Sequence, residues 1–526
     1  MPFIAKALVG IGENSRVFGF FRPRRARFSL CDPLLYSMNI YFKHFARRLP
    51  LGLVSFFSVL LLAACTVPRQ PVAKVAAPVD QWQAPLPHEG QIRALRDWWQ
   101  AQEDPALLRL QDAAQQASPN LQQALALIVQ ARASSSAAGA TMLPQVNAGA
   151  AASRGENQVG MGTMSTVGVS IQASWEIDLV GANKVLRDGA QAQLQASQAQ
   201  WHEARVSLAA EVAHAYFGAR ACQALADNDR RISHSFEESL RFSGQLLSAG
   251  LVPSTQVSLA RAALADARAR LAQQSAQCDM GVKALVALTA LPESQVRSLI
   301  APSEVPLLES PVFAVSSIPA QTLAQRPDVF AAEREVYKAS ALVAGAQAQQ
   351  WPRLTLSGSV APTQFSIAGA DNYLTTWSLG PLALAVPVFD AGQRLANIDA
   401  AKSNFESKVA TYQARVRHAV REVEESLLQL QLNDARSEQA QYSLASMEQV
   451  FKSAQARMRQ GMLSGLELEE ARRGWYGAQS LVVGLQWERR RAWVALYRAA
   501  GGGWERAQAE QGPDSVLVPE SDPKAN

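Results

Sequence analysis

The second half of the chain repeats the first. Pro119-Asn120-Leu121 recurs as Pro327-Asp328-Val329, and Leu143-Pro144-Gln145-Val146 recurs as Trp351-Pro352-Arg353-Leu354, both 208 positions on. Gly181 recurs as Gly392, Gly250 as Gly461 and Ala260-Arg261 as Ala471-Arg472, all 211 positions on. The register slips once, between Pro144 and Gly181, where a loop absorbs it. A period this long is not that of a solenoid. It marks a duplicated half, so whatever one half folds into, the molecule holds twice. The halves are read as residues 91–310 and 311–504.

Each half carries the same order of elements. A helix comes first, over about 120–142 and about 328–350, and two strands follow. From Val167 to Asp178, apolar Val167, Val169, Ile171, Ala173, Trp175 and Ile177 alternate with polar or small residues, giving a strand with one apolar face. Leu354, Leu356 and Val360 alternate in the same way, and Trp377 to Phe389 is read as their partner, its Pro381 and Pro387 suggesting an edge or the end of the sheet. Long helices come next. No Gly or Pro occurs from Gln393 to Gln460, and only Gly218 interrupts Ala190 to Ser243. About 65 helical residues span roughly 100 Å, the length of a coiled coil or helical tube. Four strands cannot close a barrel, because small barrels need about eight. If they are membrane strands, several chains must close the barrel together; a soluble sheet fits the alternation equally.

The net charge of +5 belongs to the first 64 residues, which hold nine Lys/Arg against Glu13 and Asp32. The remainder is slightly acidic and makes no case for nucleic acid. Met38 opens a plausible start, Lys43, His44, Arg47 and Arg48 form a positive segment, and Leu49 to Leu62 is apolar but short for a bilayer span. Leu62-Ala63-Ala64-Cys65 closes it as a bacterial lipoprotein signal closes. Residues 1–37 read as an over-extended start or leader, 38–64 as a lipoprotein signal, 65–90 as a Pro-containing linker behind an acylated Cys65, and 505–526 as a disordered tail.

Several stretches then occur in a telling order: Trp98-Trp99 with Asp104-Pro105-Ala106-Leu107, Trp175 to Gly181, Arg326-Pro327-Asp328-Val329, Pro387 to Gly392, and Gly501-Gly502-Gly503-Trp504. On a duplicated frame behind a lipoprotein signal, they resemble the TolC-like outer-membrane efflux family, lipoprotein branch. The resemblance implies a mixed membrane β-barrel and α-helical barrel. Three chains, each giving four membrane strands, would form a homotrimer with a twelve-stranded barrel and a long coiled-coil tunnel, girdled by a mixed α/β belt. It implies an outer-membrane exit duct anchored in lipid, fed by an inner-membrane efflux pump of the RND type through a periplasmic adaptor.

The resemblance also places function at the two helical turns. Gly250, Leu251, Val252, Ser254, Gly461, Met462, Leu463 and Ser464 would dock the adaptor, with Ser254 and Ser464 read as helix caps. Leu466, Glu470 and Arg473 match a family gate, an apolar ring beside an acidic ring that Arg473 of a neighbouring element would pair. Glu470 stands where the family commonly has Asp, and a solvated Glu/Arg helix face is the plainer reading of the same spacing. Cys222 and Cys278 lie 28 residues before and after Gly250, so a hairpin turning there sets them side by side, as a disulfide or as two buried thiols. No catalytic motif is complete: His202-Glu203 begins a zinc-protease pattern, but Val206 stands where its second His belongs. Neither cofactor nor metal is expected, and the chain reads as no enzyme. A type I secretion duct, a trimeric coiled-coil adhesin and a non-channel trimeric lipoprotein scaffold are the rival readings.

Overall fold

A computed structural model describes residues 98–101, 104–156, 163–301, 319–367 and 370–506. Cys65, the leader, the linker and most of the C-terminal tail lie outside them. The chain runs α1 (Trp98–Ala101), α2 (Pro105–Ala117), α3 (Pro119–Ala140), β1 (Gln145–Glu156), β2 (Thr163–Ile177), α4 (Ala182–Ser248), α5 (Ser254–Thr289), α6 (Glu293–Ile300). The second half continues α7 (Pro319–Ala324), α8 (Pro327–Ala348), β3 (Arg353–Ile367), β4 (Ala370–Ala385), α9 (Gln393–Arg459), α10 (Gly465–Ala499).

The strands form one antiparallel sheet in the order β1-β2-β3-β4, leaving β1 and β4 as outer edges. Its register lines up one apolar face. Ala148 lies opposite Ile171, Ile171 opposite Val360 and Val360 opposite Trp377. Serines line the other face, where Ser359 and Ser378 hydrogen-bond at 3.0 Å. The last strand is Ala370–Ala385, so the Trp377–Phe389 reading began too late and ran too long. Pro381 lies inside it at a bulge: Leu379 faces Gly358 while Leu382 faces Leu356, so Gly380 and Pro381 together oppose Ser357. A proline has no N–H to give a ladder, and a bulge is where a strand tolerates that loss. The extra residue also flips the parity, so Trp377 and Leu379 share a face with Leu382 and Leu384.

Each sheet half feeds a helix of 67 residues, α4 or α9. Strands end at Ile177 and Ala385 while these helices begin at Ala182 and Gln393, so the slip between the halves sits in the junctions. Both junctions solve the same problem in the same way. Gly181 (φ +76°) and Gly392 (φ +89°) turn the chain through the left-handed region, and Asp178 and Asp390 accept the N–H of Lys184 and Arg394. Gly218 does not interrupt α4. It faces the Trp487 ring of α10, which a Cβ would meet at 3.4 Å, close to ordinary contact.

Helices pack into a wall four wide. Towards the sheet the order is α3-α4-α8-α9; towards the turns it is α5-α4-α10-α9. Apolar residues on the outermost helices stay exposed, among them Val129 on α3, Leu259 on α5 and Leu432 and Tyr442 on α9.

Around the middle, three of the stretches that carried the family resemblance lock together. Asp104 caps α2 and accepts a hydrogen bond from the Tyr216 hydroxyl at 2.8 Å. Trp98 stacks on Tyr497, and Trp99 meets the same ring edge-on. The buried Arg326 guanidinium donates to Asp328, Glu422 and the Ala499 carbonyl. At Gly501 a Cβ would fall 2.3 Å from the Gln325 carbonyl oxygen, so only glycine lets the chain pass; Trp504 then packs on Phe330. Among the described residues the short helices α2, α6 and α7 pack against the long ones at this level; much of the linking and terminal segments expected in the mixed α/β belt lies outside those residues.

Candidate functional site at the hairpin tips

Both long helices end in the same device. After α4, the Gly250 N–H bonds to the Leu247 carbonyl and the Leu251 N–H to the Leu246 carbonyl; after α9, Gly461 and Met462 bond to Met458 and Arg457 in the same pattern. This double closure requires a left-handed residue after the cap, and Gly250 (φ +73°) and Gly461 (φ +70°) supply it. It thrusts Leu251 and Met462 outward, 71% and 59% exposed, with Val252 and Leu463 half-buried behind them.

The two return helices start differently. Ser464 caps α10 in a reciprocal box: its hydroxyl accepts the Glu467 N–H, and the Glu467 carboxylate accepts the Ser464 N–H at 2.9 Å. The Ser464 hydroxyl also donates to that carboxylate at 2.7 Å, and this bond, with the one from the Ser464 N–H, holds the Glu467 carboxyl below the usual range. Ser254 is not a cap. Pro253 takes the cap position of α5 and makes no side-chain cap bond, so Ser254 is the first helical residue.

Leu466 and Glu470 share one face of α10, the first half-buried and the second exposed. Arg473 does not pair with Glu470 by any hydrogen bond or salt bridge. It points into the seam between α10 and α4, donating to Ser235 Oγ at 3.1 Å and Ser239 Oγ at 2.8 Å, its guanidinium 4.3 Å from the centre of the Phe236 ring. Burial lowers its pKa, and the carboxylates of Glu469 and Glu470 oppose that shift.

Several residues of this seam escape sequence reasoning. The Ser235 hydroxyl donates to the Glu469 carbonyl, Asn228 Nδ2 donates to Ser480, and Phe242 lies where a Cβ on Gly465 would be, 2.7 Å away. Glu469 itself is buried. One signal was available: Ser235, Ser239 and Ser243 step by four, marking a polar stripe on the buried face of α4. Nearer the sheet that face is Ala213, Tyr216, Phe217 and other apolar residues. The hairpins therefore meet through a hydrophobic seam above Asn228 and a hydrogen-bonded one below it.

Cys222 and Cys278 are joined in a disulfide, their Cα atoms 5.4 Å apart, tying α4 to α5 well above the tip. At the equivalent height the second hairpin relies on Asn433 Nδ2, which donates to the Leu485 carbonyl at 3.0 Å, and on the ion pairs Arg436–Glu488 and Arg489–Asp434. Among the described residues no cluster of His, Cys, Asp and Glu is placed to hold a metal ion.

Residues 110–291 and 318–502 match the family described as outer membrane efflux protein, one match to each half. Outer membrane protein OprJ of Pseudomonas aeruginosa is 29% identical over 478 residues, covering 88% of this chain and 98% of its own length. The pyoverdine export outer membrane protein OpmQ of Pseudomonas putida is 31% identical, covering 85% of this chain and 96% of its own. Among solved structures, a membrane protein from Pseudomonas aeruginosa aligns with TM-score 0.71 at 25% identity, over 83% of this chain and all of that one. The open state of the Neisseria gonorrhoeae MtrE outer membrane channel aligns with TM-score 0.70 at 24% identity, over 84% of this chain and 99% of that one. Sheet, paired hairpins and duplicated sequence thus agree, and the chain belongs to the outer membrane efflux protein family.

Proposed function

We propose that the chain is the passive outer-membrane duct of a tripartite efflux pump, working as a homotrimer. The observation that carries this reading is the sheet: four strands with one apolar face and two unpaired edges, continuous with helices of 67 residues. Unpaired strand edges are untenable in hydrocarbon, and closure removes them. Joining β4 of one chain to β1 of the next closes three such sheets of four strands into twelve. The apolar face then meets lipid, the serine face lines water, and the four-helix walls continue as a tunnel into the periplasm.

Cys65 would carry the acyl anchor. Leu251, Val252, Met462 and Leu463, set by Gly250, Ser254, Gly461 and Ser464, form the apolar knobs on which a periplasmic adaptor docks. An inner-membrane pump of the RND type would supply the energy through that adaptor, so the duct needs no cofactor and performs no catalysis. Leu466, Glu470 and Arg473 form the periplasmic gate, with Arg473 holding α10 to α4.

Planar-bilayer conductance of the purified trimer tests this. Wild type should give stable single-channel steps, and a Glu470→Ala/Arg473→Ala double variant larger ones. Unchanged steps in the double variant would discard the gate residues and keep the duct. Absence of steps from well-folded trimer of either form would leave the non-channel lipoprotein scaffold.

A further inference from the structure

Arg473 presents an electrostatic problem. Its half-buried guanidinium rests on two neutral serine hydroxyls and an aromatic face, and a cation withdrawn from water needs a compensating anion close by. Glu470 is exposed, where water screens its charge. Glu469 is only 3% exposed and lies four residues before Arg473 on α10. Glu followed by Arg at that spacing is the favourable order on a helix. Its Oε1 lies 3.1 Å from Arg472 Nη1 in a salt bridge, and its carbonyl accepts from Ser235 of α4. The other carboxylate oxygen, Oε2, is buried with no hydrogen-bond partner among the described residues. A buried carboxylate left half-satisfied is costly, and its surroundings are cationic: Arg472 and Arg473 on its own helix and Arg241 on α4 all feel its charge.

We propose that Glu469 is the counter-ion that allows Arg473 to hold the two hairpins together at the tip, a positioning role that residue spacing assigns to Glu470. Glu469 touches no permeating molecule. It acts through Arg473, and with its charge removed the guanidinium is better solvated in open water than in the seam. The end of α10 then separates from α4 below Asn228, where the seam is polar, and stays joined above it, where the seam is apolar. The consequence for gating rests on the channel reading; the contact between hairpins does not.

The test pairs two readouts on the full-length trimer. Electron–electron distance measurement between spin labels at Gln245→Cys on α4 and Gly477→Cys on α10 reports the seam directly, and bilayer conductance reports the gate. Glu469→Gln keeps the shape and loses the charge; Glu469→Asp keeps the charge and shortens the arm. A counter-ion role predicts that Gln raises the separated population about fivefold, the upper end of what an ion pair open to water is worth, and that Asp restores the closed distance. A packing role predicts the reverse order. Gln behaving as wild type, while Arg473→Ala widens the distance, would overturn the assignment and leave the channel reading intact. A distance that widens in Gln while no variant conducts would retain the assignment and overturn the channel reading.

Discussion

At the scale of single residues, burial decides what spacing cannot. Glu469 and Glu470 are neighbours in sequence but about 100° apart around a helix, so one enters the seam while the other faces water. The gate motif given by the family resemblance is silent on this difference, because nothing in a single sequence says which of two adjacent acids is covered. The Ser464 cap was readable, since Glu467 stands three residues on and the box is local. Ser254 was misread because Pro253 takes the cap position and only the backbone reveals it. His202 provides a residue-scale prediction. Its imidazole packs on Trp201 and lies near Trp504, and burial, aided by Arg205, lowers its pKa from 6.5 to about 4. The folded protein therefore keeps His202 neutral where the unfolded chain takes up a proton. This contribution to stability is complete above pH 6.5, declines as pH falls, and is lost by about pH 4. His202→Gln should flatten that part of the Tm-against-pH curve of the detergent-solubilised protein; an unchanged slope would place the titration elsewhere.

At the scale of elements, period-two alternation found β2 from Val167 on, four residues after its start, but misplaced β4, because the bulge at Gly380-Pro381 breaks the parity that alternation relies on. The bulge makes a sharp prediction about faces. Leu379 is 83% exposed on the apolar side, whereas Ser378 bonds across to Ser359 on the other. Leu379→Arg should cost about 2–4 kcal/mol of barrel stability near the bilayer midplane, and Ser378→Arg much less, read from heat-modified mobility or urea titration in lipid vesicles. Equal costs would mean that the faces are not divided between lipid and water. For the helices, the disulfide tethers residues 56 apart in sequence. Closing a loop of that length restrains the unfolded chain by up to about 4 kcal/mol on the chain-entropy account. A Cys222→Ser/Cys278→Ser variant should melt at lower temperature than wild type, and reductant should lower only the wild-type Tm. The hairpin symmetry that placed these cysteines together was legible because turn and arms are regular; that they are bonded rather than free was not.

At the scale of the whole molecule, duplication was the legible fact, and it carried the architecture: two strands and one helical hairpin, twice. The short helices α1, α6 and α7 were not legible, because they are too short for periodicity to identify and are fixed by what they lie on. The unpaired edges of β1 and β4 and the exposed apolar residues on α3, α5 and α9 predict that the extracted protein has the mass of three chains by native mass spectrometry in detergent; a monodisperse monomer would sink the closed barrel. The helices α4 and α9 have the same length, 67 residues, and each closes in the same left-handed glycine turn with one exposed apolar residue beyond it, Leu251 or Met462. Three chains in a ring would set six such knobs around the rim, alternately Leu251 and Met462, so a molecule with threefold symmetry would offer a rim that is nearly sixfold. A cap built from three subunits and a cap built from six could each find sockets on that rim, and only the differences between alternate knobs would tell the seated partner which socket it had found.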